Sequence, residues 1–287
     1  MQIAARPRFV QAVAATLNGD NGMAEAQALL VDIADGIATL TLNRPQQKNA
    51  LNLPMRDALR GAVQQIRADR SVRAVVLRGA GTDFCSGGDI RAMNVTDADA
   101  GRDRMDDIHG WIATLMDLDR PVVAAVDGVA YGAGFSLALL ADFIVASPRA
   151  RFCMPFMKVG LVPDCAALYT LPRVVGMARA RDLVFSAREM GAQEAQEIGA
   201  VFEIVAQDRL HDRARQLAHG LAGASPTAFA LAKRALNQSL SSDVRAMLEM
   251  EALGQGIAFT TSYHREAVRR FKEKEPPLFQ WPAALDD

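Results

Sequence analysis

From Pro121 to Asp142 an apolar, β-rich segment, Val122-Val123-Ala124-Ala125-Val126, passes through Asp127-Gly128-Val129-Ala130-Tyr131 into Gly132-Ala133-Gly134 and then into a run of helix formers, Phe135 to Ala141. A strand that stops at glycines and restarts as a helix leaves unpaired backbone N–H groups at the helix N-terminus, where they can hold an anion or a developing oxyanion. On its own a Gly-x-Gly step also fits a plain strand-to-helix turn. The rest of the chain has to separate the two.

Upstream, Ala28 to Ile33 and Ile37 to Leu42 flank Ala34-Asp35-Gly36, a hairpin with Asp-Gly in its turn. A helix is expected from Leu53 to Ala68, with Asn52 as N-cap, Pro54 in the first turn, and Leu59, Ala62, Val63 and Ile66 on one inward face. Ala74-Val75-Val76-Leu77-Arg78 reads as a strand covered on both sides. It leads into the first of two glycine-rich turns in chain order, Asp83-Phe84-Cys85-Ser86-Gly87-Gly88-Asp89, before a helix resumes. Residues 96–107 are polar and acidic and are expected to form a mobile loop entering a helix that carries His109, Trp111, Ile112 and Leu115.

Further strands are expected at Phe143 to Ala146 and Phe202 to Val205, and the alternation of strand, glycine turn and helix implies an α/β class. After about residue 207 the pattern is helical: one helix capped by Ser225-Pro226, a second across 243–258 and a third from Ser262 to Lys272. This points to an N-terminal extension over 1–26, an α/β core over 27–207 and an appended helical region over 208–287 suited to oligomerisation.

Charge narrows the ligand. Lys and Arg number 32 against 33 Asp and Glu in 287 residues, so the overall balance favours neither nucleic acid nor a membrane surface, while a small anionic ligand stays open. Cys85, Cys153 and Cys165 form no disulfide or zinc spacing, and the four histidines form no metal-ligand pattern. No apolar run is long enough to span a bilayer, and a cytoplasmic location is expected. The first 20 residues, with Arg6, Arg8 and no acid before Asp20, resemble a transit peptide but equally fit a short amphipathic helix or an over-extended start, with Met23 as the alternative initiator.

Asn43-Arg44-Pro45 with Lys48-Asn49-Ala50-Leu51, then Phe84 to Ile90, then Val126-Asp127-Gly128 with Gly132-Ala133-Gly134, then Ala141-Asp142, stand in the order found in the crotonase (enoyl-CoA hydratase/isomerase) superfamily, which the chain resembles over roughly residues 28–275. The resemblance implies a spiral of ββα units, a C-terminal trimerisation region giving a homotrimer or dimer of trimers, and an acyl-CoA thioester substrate, with coenzyme A as part of that substrate and no separate cofactor. It places an oxyanion hole on the N–H groups of Gly88 and Ala133, whose task is to stabilise the enolate formed when a proton leaves the carbon beside the thioester. It also places Lys48, Ala50, Ser86, Asp89, Ile90 and Arg91 near the CoA adenine and pantetheine; Asp89 fits a helix cap as well, and Lys48 or Arg91 a solvated charge.

Hydratases of this family carry one glutamate two residues past the second turn's last glycine and another just after the proline of the following strand. This chain has Ser136 and Phe156 there. What remains is Asp164, in Gly160-Leu161-Val162-Pro163-Asp164-Cys165, where the chain resembles phenylacetate-type enoyl-CoA isomerases and dienoyl-CoA isomerases. One carboxylate can take a proton from one carbon and return it to another, so double-bond migration needs no activated water. Phe156, Val162 and Tyr131 are expected to wall Asp164 and raise its pKa; the simpler alternative is a helix cap. Tyr131, Trp111 and Met93 are candidates for either the acyl pocket or core packing. Ser136 and Cys165 lack an evident partner base for covalent catalysis. An enoyl-CoA isomerase is therefore expected, with a hydratase or lyase using another base, and a non-catalytic acyl-CoA-binding protein, as the alternatives.

Overall fold

The computed structural model describes residues 27–92 and 97–283; the N-terminal extension, Met23 and Met93 lie outside the described residues. The chain starts with β1 (Leu29–Ala34) and β2 (Ile37–Leu42), antiparallel about Asp35 and Gly36, both at positive φ. Then come α1 (Leu53–Ala68), β3 (Ala74–Gly79), α2 (Ala98–Met116), β4 (Val122–Val126), β5 (Val129–Tyr131) and α3 (Ala133–Ala138). These are followed by β6 (Phe143–Ala146), β7 (Arg151–Cys153), α4 (Ala167–Val175), α5 (Met177–Ser186), β8 (Glu189–Gly191), α6 (Ala192–Glu197) and β9 (Glu203–Ile204). The chain closes with α7 (Leu210–Ala222), α8 (Pro226–Ser239), α9 (Val244–Phe259) and α10 (Ser262–Glu273).

Among the described residues, six strands form one sheet in the order β1-β2-β3-β4-β6-β9, and β5-β7-β8 form a second. The larger sheet is parallel from β2 onwards. Alternate residues of β3 and β4 serve opposite faces: Val75, Leu77, Val122 and Ala124 pack with α1 and α2, while Ala74, Val76, Val123 and Ala125 pack with α7 through Leu210, Ala214, Leu217 and Leu221. Burial on both faces accounts for the unbroken apolar runs of these strands.

The Asn52 side chain caps α1 as expected, accepting from the Met55 N–H. Three expectations need correcting. Among the described residues directly after the first glycine turn, where a helix was expected to resume, Ile90–Ala92 make a short 3-10 turn and no α-helix. Residues 98–107 are helical, not a loop, because Asp97 caps α2 by accepting from the Ala100 N–H and Arg60 of α1 grips Asp107. The helical C-terminal region also contains α7, which covers the sheet, so the sheet's second layer is drawn from beyond residue 207. The small sheet was not foreseen at all, since β7 and β8 have three residues each. None of the described helices is long and apolar enough to cross a membrane.

Candidate active site

Parallel pairing of β3 with β4, Val75 opposite Val122 and Arg78 opposite Ala125, puts their C-terminal ends side by side. The segments leading to both glycine turns therefore leave the larger sheet at the same end, the second passing through β5 of the small sheet before Gly132; ligands commonly bind at the carboxyl ends of such strands. Hydrogen bonds then lace the turns together. Phe84 N–H donates to the Asp127 carbonyl at 2.7 Å, Cys85 N–H to Val129 at 2.9 Å, and Tyr131 N–H back to Cys85 at 2.9 Å. The Asp83 carboxylate accepts from the Val129 N–H at 3.0 Å.

Missing Cβ atoms make this approach possible. A Cβ on Gly134 would stand 2.2 Å from the Cys85 carbonyl oxygen, and one on Gly128 2.2 Å from that of Thr82. A Cβ on Gly87 would stand 2.7 Å from the Tyr131 carbonyl oxygen and 3.5 Å from the Ala133 nitrogen. The Gly87-Gly88 step thus lies directly against the start of α3.

Two donors are left over at this junction. Leu51 pairs with Gly88 as an isolated parallel bridge, in which Leu51 N–H donates to Gly87 and Asp89 N–H donates to Leu51; this geometry uses the neighbours of Gly88 and leaves its own N–H pointing away. Ala133 opens α3, where no intrahelical acceptor exists. Neither N–H has an acceptor among the described residues.

The first turn is held from below by Asn49, fully buried at φ 57°. Its Oδ1 accepts from the Arg44 N–H at 2.8 Å, and its Nδ2 donates to the Ala80 and Asp83 carbonyls at 2.9 and 2.7 Å. Arg44 in turn donates to the Ala50 carbonyl at 2.6 Å and pairs with Asp89 at 3.1 Å. Asp89 is buried, and burial acts to raise its pKa, but hydrogen bonds from Arg91 and Arg44 outweigh this and hold it below the usual aspartate value. It also accepts from the Arg91 N–H, so it braces the turn. Lys48, Ser86, Ile90 and Arg91 gather on the outer side of this turn, with Ile90 72% exposed and Ala50 buried beneath.

A second brace is Asp127, which accepts from Gly128 N–H at 3.0 Å, Ser147 Oγ at 2.6 Å, Arg149 at 2.8 Å and Gln207 at 3.0 Å. Sequence reasoning noted Asn49 and Asp127 only as parts of motifs. The signal available was chemical: an Asn tolerates the left-handed conformation and can bond backbone on either side of it.

Asp164 follows the segment Pro155–Val159, whose Phe156 ring is buried and approaches Gly132, the carbon Cζ lying 3.7 Å from where a Cβ would be. Its successors Cys165 and Ala166 both take left-handed conformations, φ 50° and 64°, each costing about 1–3 kcal/mol for a residue with a Cβ. The residue preceding α4 is Ala166, with no side-chain cap bond, so Asp164 is not the helix cap. Its Oδ1 is buried and has no hydrogen-bond partner. Burial raises the Asp164 pKa above the ordinary aspartate value, opposed by the Cys165 thiol and by the charges of Arg104 and His109 on α2. The expected wall is thus corrected: Val162 is 69% exposed, and the Tyr131 hydroxyl is turned to donate to Glu189 of β8. The charged groups facing Asp164 come from α2. Trp111 packs in the core.

Alternative nucleophiles are closed off. Ser136 is buried and its hydroxyl donates to the Gly132 carbonyl at 3.1 Å. Burial pushes the Cys85 thiol up to about 12 and Cys165 well above its usual value. His211, expected on a polar face, has a buried Nδ1 without a partner. Two backbone donors without acceptors among the described residues have the chemistry to polarise a carbonyl, and a carboxylate of raised pKa has the chemistry to move a proton.

The ββα spiral with two laced glycine turns at one end of the sheet and a helical C-terminal array defines a crotonase-fold protein. Comparison with known proteins agrees: the sequence profile of the Enoyl-CoA hydratase/isomerase family matches residues 32–282. A crystal structure of the enoyl-CoA hydratase/isomerase from Cupriavidus metallidurans CH34 superimposes with a TM-score of 0.87 at 37% identity, over 92% of this chain and 100% of that one. The 1,2-epoxyphenylacetyl-CoA isomerase of Escherichia coli K12 is 36% identical over 88% of this chain and 97% of its own length. The short-chain-enoyl-CoA hydratase of Clostridium acetobutylicum is 33% identical over 87% and 96%. The chain belongs to the enoyl-CoA hydratase/isomerase family. Its membership makes it an acyl-CoA-processing enzyme.

Proposed function

We propose that the chain moves a double bond within an enoyl-CoA thioester, from the 3-position to the 2-position. The N–H groups of Gly88 and Ala133 hold the thioester oxygen. The Asp164 carboxylate takes a proton from C2; the C–H electron pair becomes the C1–C2 double bond of an enolate conjugated with the C3–C4 double bond. The same carboxyl group returns the proton to C4, the C2–C3 double bond forms, and charge leaves the thioester oxygen. Nothing is consumed and no water enters. Removing one oxyanion-hole donor costs about 3–4 kcal/mol in other enzymes, which is why two fixed amides can carry much of the rate. The CoA moiety runs past Lys48, Ala50, Ser86, Ile90 and Arg91, with Asp89 bracing the turn beneath it; Phe156 and the Tyr131 backbone border the acyl group. The chain works as a homotrimer or dimer of trimers.

One observation carries the preference for isomerisation. Asp164 presents a buried oxygen without a partner, while the two positions where a hydratase of this family places glutamates hold a serine bonded to its own helix and a buried phenyl ring. The test is product identity. Supplied with 3-enoyl-CoA, the enzyme should yield the conjugated 2-enoyl-CoA, followed by its absorbance, and supplied with 2-enoyl-CoA it should form no 3-hydroxyacyl-CoA. Steady hydration of 2-enoyl-CoA would overturn the reading.

A further inference from the structure

The two left-handed residues behind Asp164 need holding. Backbone strain of the kind found at Cys165 and Ala166, φ 50° and 64°, persists only where the surroundings over-determine it. The helix that follows is poorly equipped for this: α4 has nine residues, no side-chain cap at its N-terminus and a proline, Pro172, inside it. Its first turn nevertheless grips the strained step. Tyr169 N–H and Thr170 N–H both donate to the Ala166 carbonyl at 2.9 Å, and Ala167 N–H donates to the Asp164 carbonyl at 3.0 Å. Whatever fixes that turn of α4 therefore fixes the backbone that carries Asp164.

The fixing comes from the end of α8, in the C-terminal helical region. The Tyr169 hydroxyl donates to the Asn237 carbonyl. The Arg173 guanidinium lies over the Tyr169 ring, its carbon 3.5 Å from the centroid, and donates to the Tyr169 carbonyl at 3.2 Å and to Ser241 Oγ, just past α8, at 2.7 Å. Asn237 also reaches the other way, its Nδ2 donating to the carbonyl of Met116, the last residue of α2, at 3.3 Å. Residues 237–241 thus tie α4, which follows Asp164, to α2, whose Arg104 and His109 bear on the Asp164 charge.

We propose that Tyr169 is a positioning residue for proton transfer: its anchorage on α8, with Arg173 stacked upon it, holds the left-handed step that presents Asp164 with a buried, unpartnered oxygen. This rests on the reading that Asp164 is the acid–base group. The C-terminal region then serves catalysis within its own protomer, besides any part in assembly. Without the anchor the first turn of α4 shifts, Cys165 and Ala166 relax towards the right-handed region, and the Asp164 carboxyl group turns into water.

Tyr169→Phe keeps the ring beneath Arg173 and removes only the hydroxyl. With 3-enoyl-CoA it should lose about tenfold or more in kcat, with KM within about twofold of wild type. The acidic limb of kcat should move to lower pH, since a carboxyl group returned to water goes back towards the ordinary aspartate value, while Cys165, Arg104 and His109, the side chains that act on Asp164, are unaltered. In an Asp164→Asn background the same substitution should cost nothing further. A structural role alone would lower the melting temperature and leave the limb in place. An unmoved limb, or a rate loss that repeats undiminished in Asp164→Asn, overturns the proposal. Failure of the isomerase reading shows separately, as a wild type that makes no 2-enoyl-CoA or an Asp164→Asn rate equal to it. The titration of Asp164, followed by carbon NMR of protein labelled at the aspartate carboxyl groups with Asp164→Asn for assignment, then decides whether the anchor holds that residue: a lower pKa in Tyr169→Phe supports the proposal and an unchanged one overturns it. Should Tyr169→Phe not fold, as a thermal melt would reveal, Ser241→Ala, which loosens Arg173 from the end of α8 without altering α4, is held to the same readings.

Discussion

At Asp164 the side chain is half-buried, one oxygen is unpartnered, and the groups that steady its charge are the Cys165 thiol and the cations of α2. Burial raises its pKa, so the carboxylate needed as a base forms only as pH climbs past a value above the ordinary aspartate range. The acidic limb of kcat/KM for isomerisation should reflect this. Cys165→Ala removes a donor that favours the ionised form, and Arg104→Met removes a favourable charge; each should move the acidic limb to higher pH, by an amount read from the pH profile, with the alkaline side unmoved. A limb that stays in place in both variants would mean that another group is titrating. The sequence located Asp164 by what its neighbours are, but not its surroundings. Val162, two residues away, turns to solvent, whereas Arg104 and His109 bear on the Asp164 charge from α2, an element distant in the chain.

At the scale of elements, the glycine turns are fitted by backbone contact. Gly134→Ala would drive a Cβ to 2.2 Å from the Cys85 carbonyl, where neither partner is a flexible side-chain end. The expected cost is about 3 kcal/mol or more, seen as a fall in Tm of roughly 6–12 °C by calorimetry, together with loss of activity as the two turns move apart. Asn49→Ala leaves the buried carbonyls of Ala80 and Asp83 and the Arg44 N–H without their partner. About 2–4 kcal/mol of stability should be lost, and denaturant unfolding would measure it. The strands and the first helix were legible because burial writes a period into the sequence: alternate residues of β3 face opposite layers, and α1 shows its stripe. The start of α2 was not, because its acidic first turns look like loop until Asp97 caps them and Arg60 of a neighbouring helix pairs with Asp107. Nor was α7 as a sheet cover, since its amphipathic pattern matches an appended helix equally well.

Across the whole molecule, the outer helices have apolar residues facing away from the core. Neither α9 nor α10 has a buried residue, and Leu248, Leu253, Ile257, Phe259 and Phe271 are exposed, a surface of the kind that marks protein–protein contact. On the proposed assembly, the protein should run in solution at three or six times its 30.9 kDa by light scattering. Leu253→Glu with Ile257→Glu, on adjacent turns of α9, should shift it to smaller species; a wild type that runs as a monomer would contradict the assembly. The central claim is that one carboxylate moves the proton while two backbone amides hold the enolate. Its most direct test is single-turnover conversion of a 3-enoyl-CoA by the wild type and by Asp164→Asn, with thioester affinity measured alongside. The account predicts that the variant binds the ester with affinity within a few-fold of wild type and converts it about 10²–10⁴ times more slowly. Conversion at an undiminished rate would contradict it.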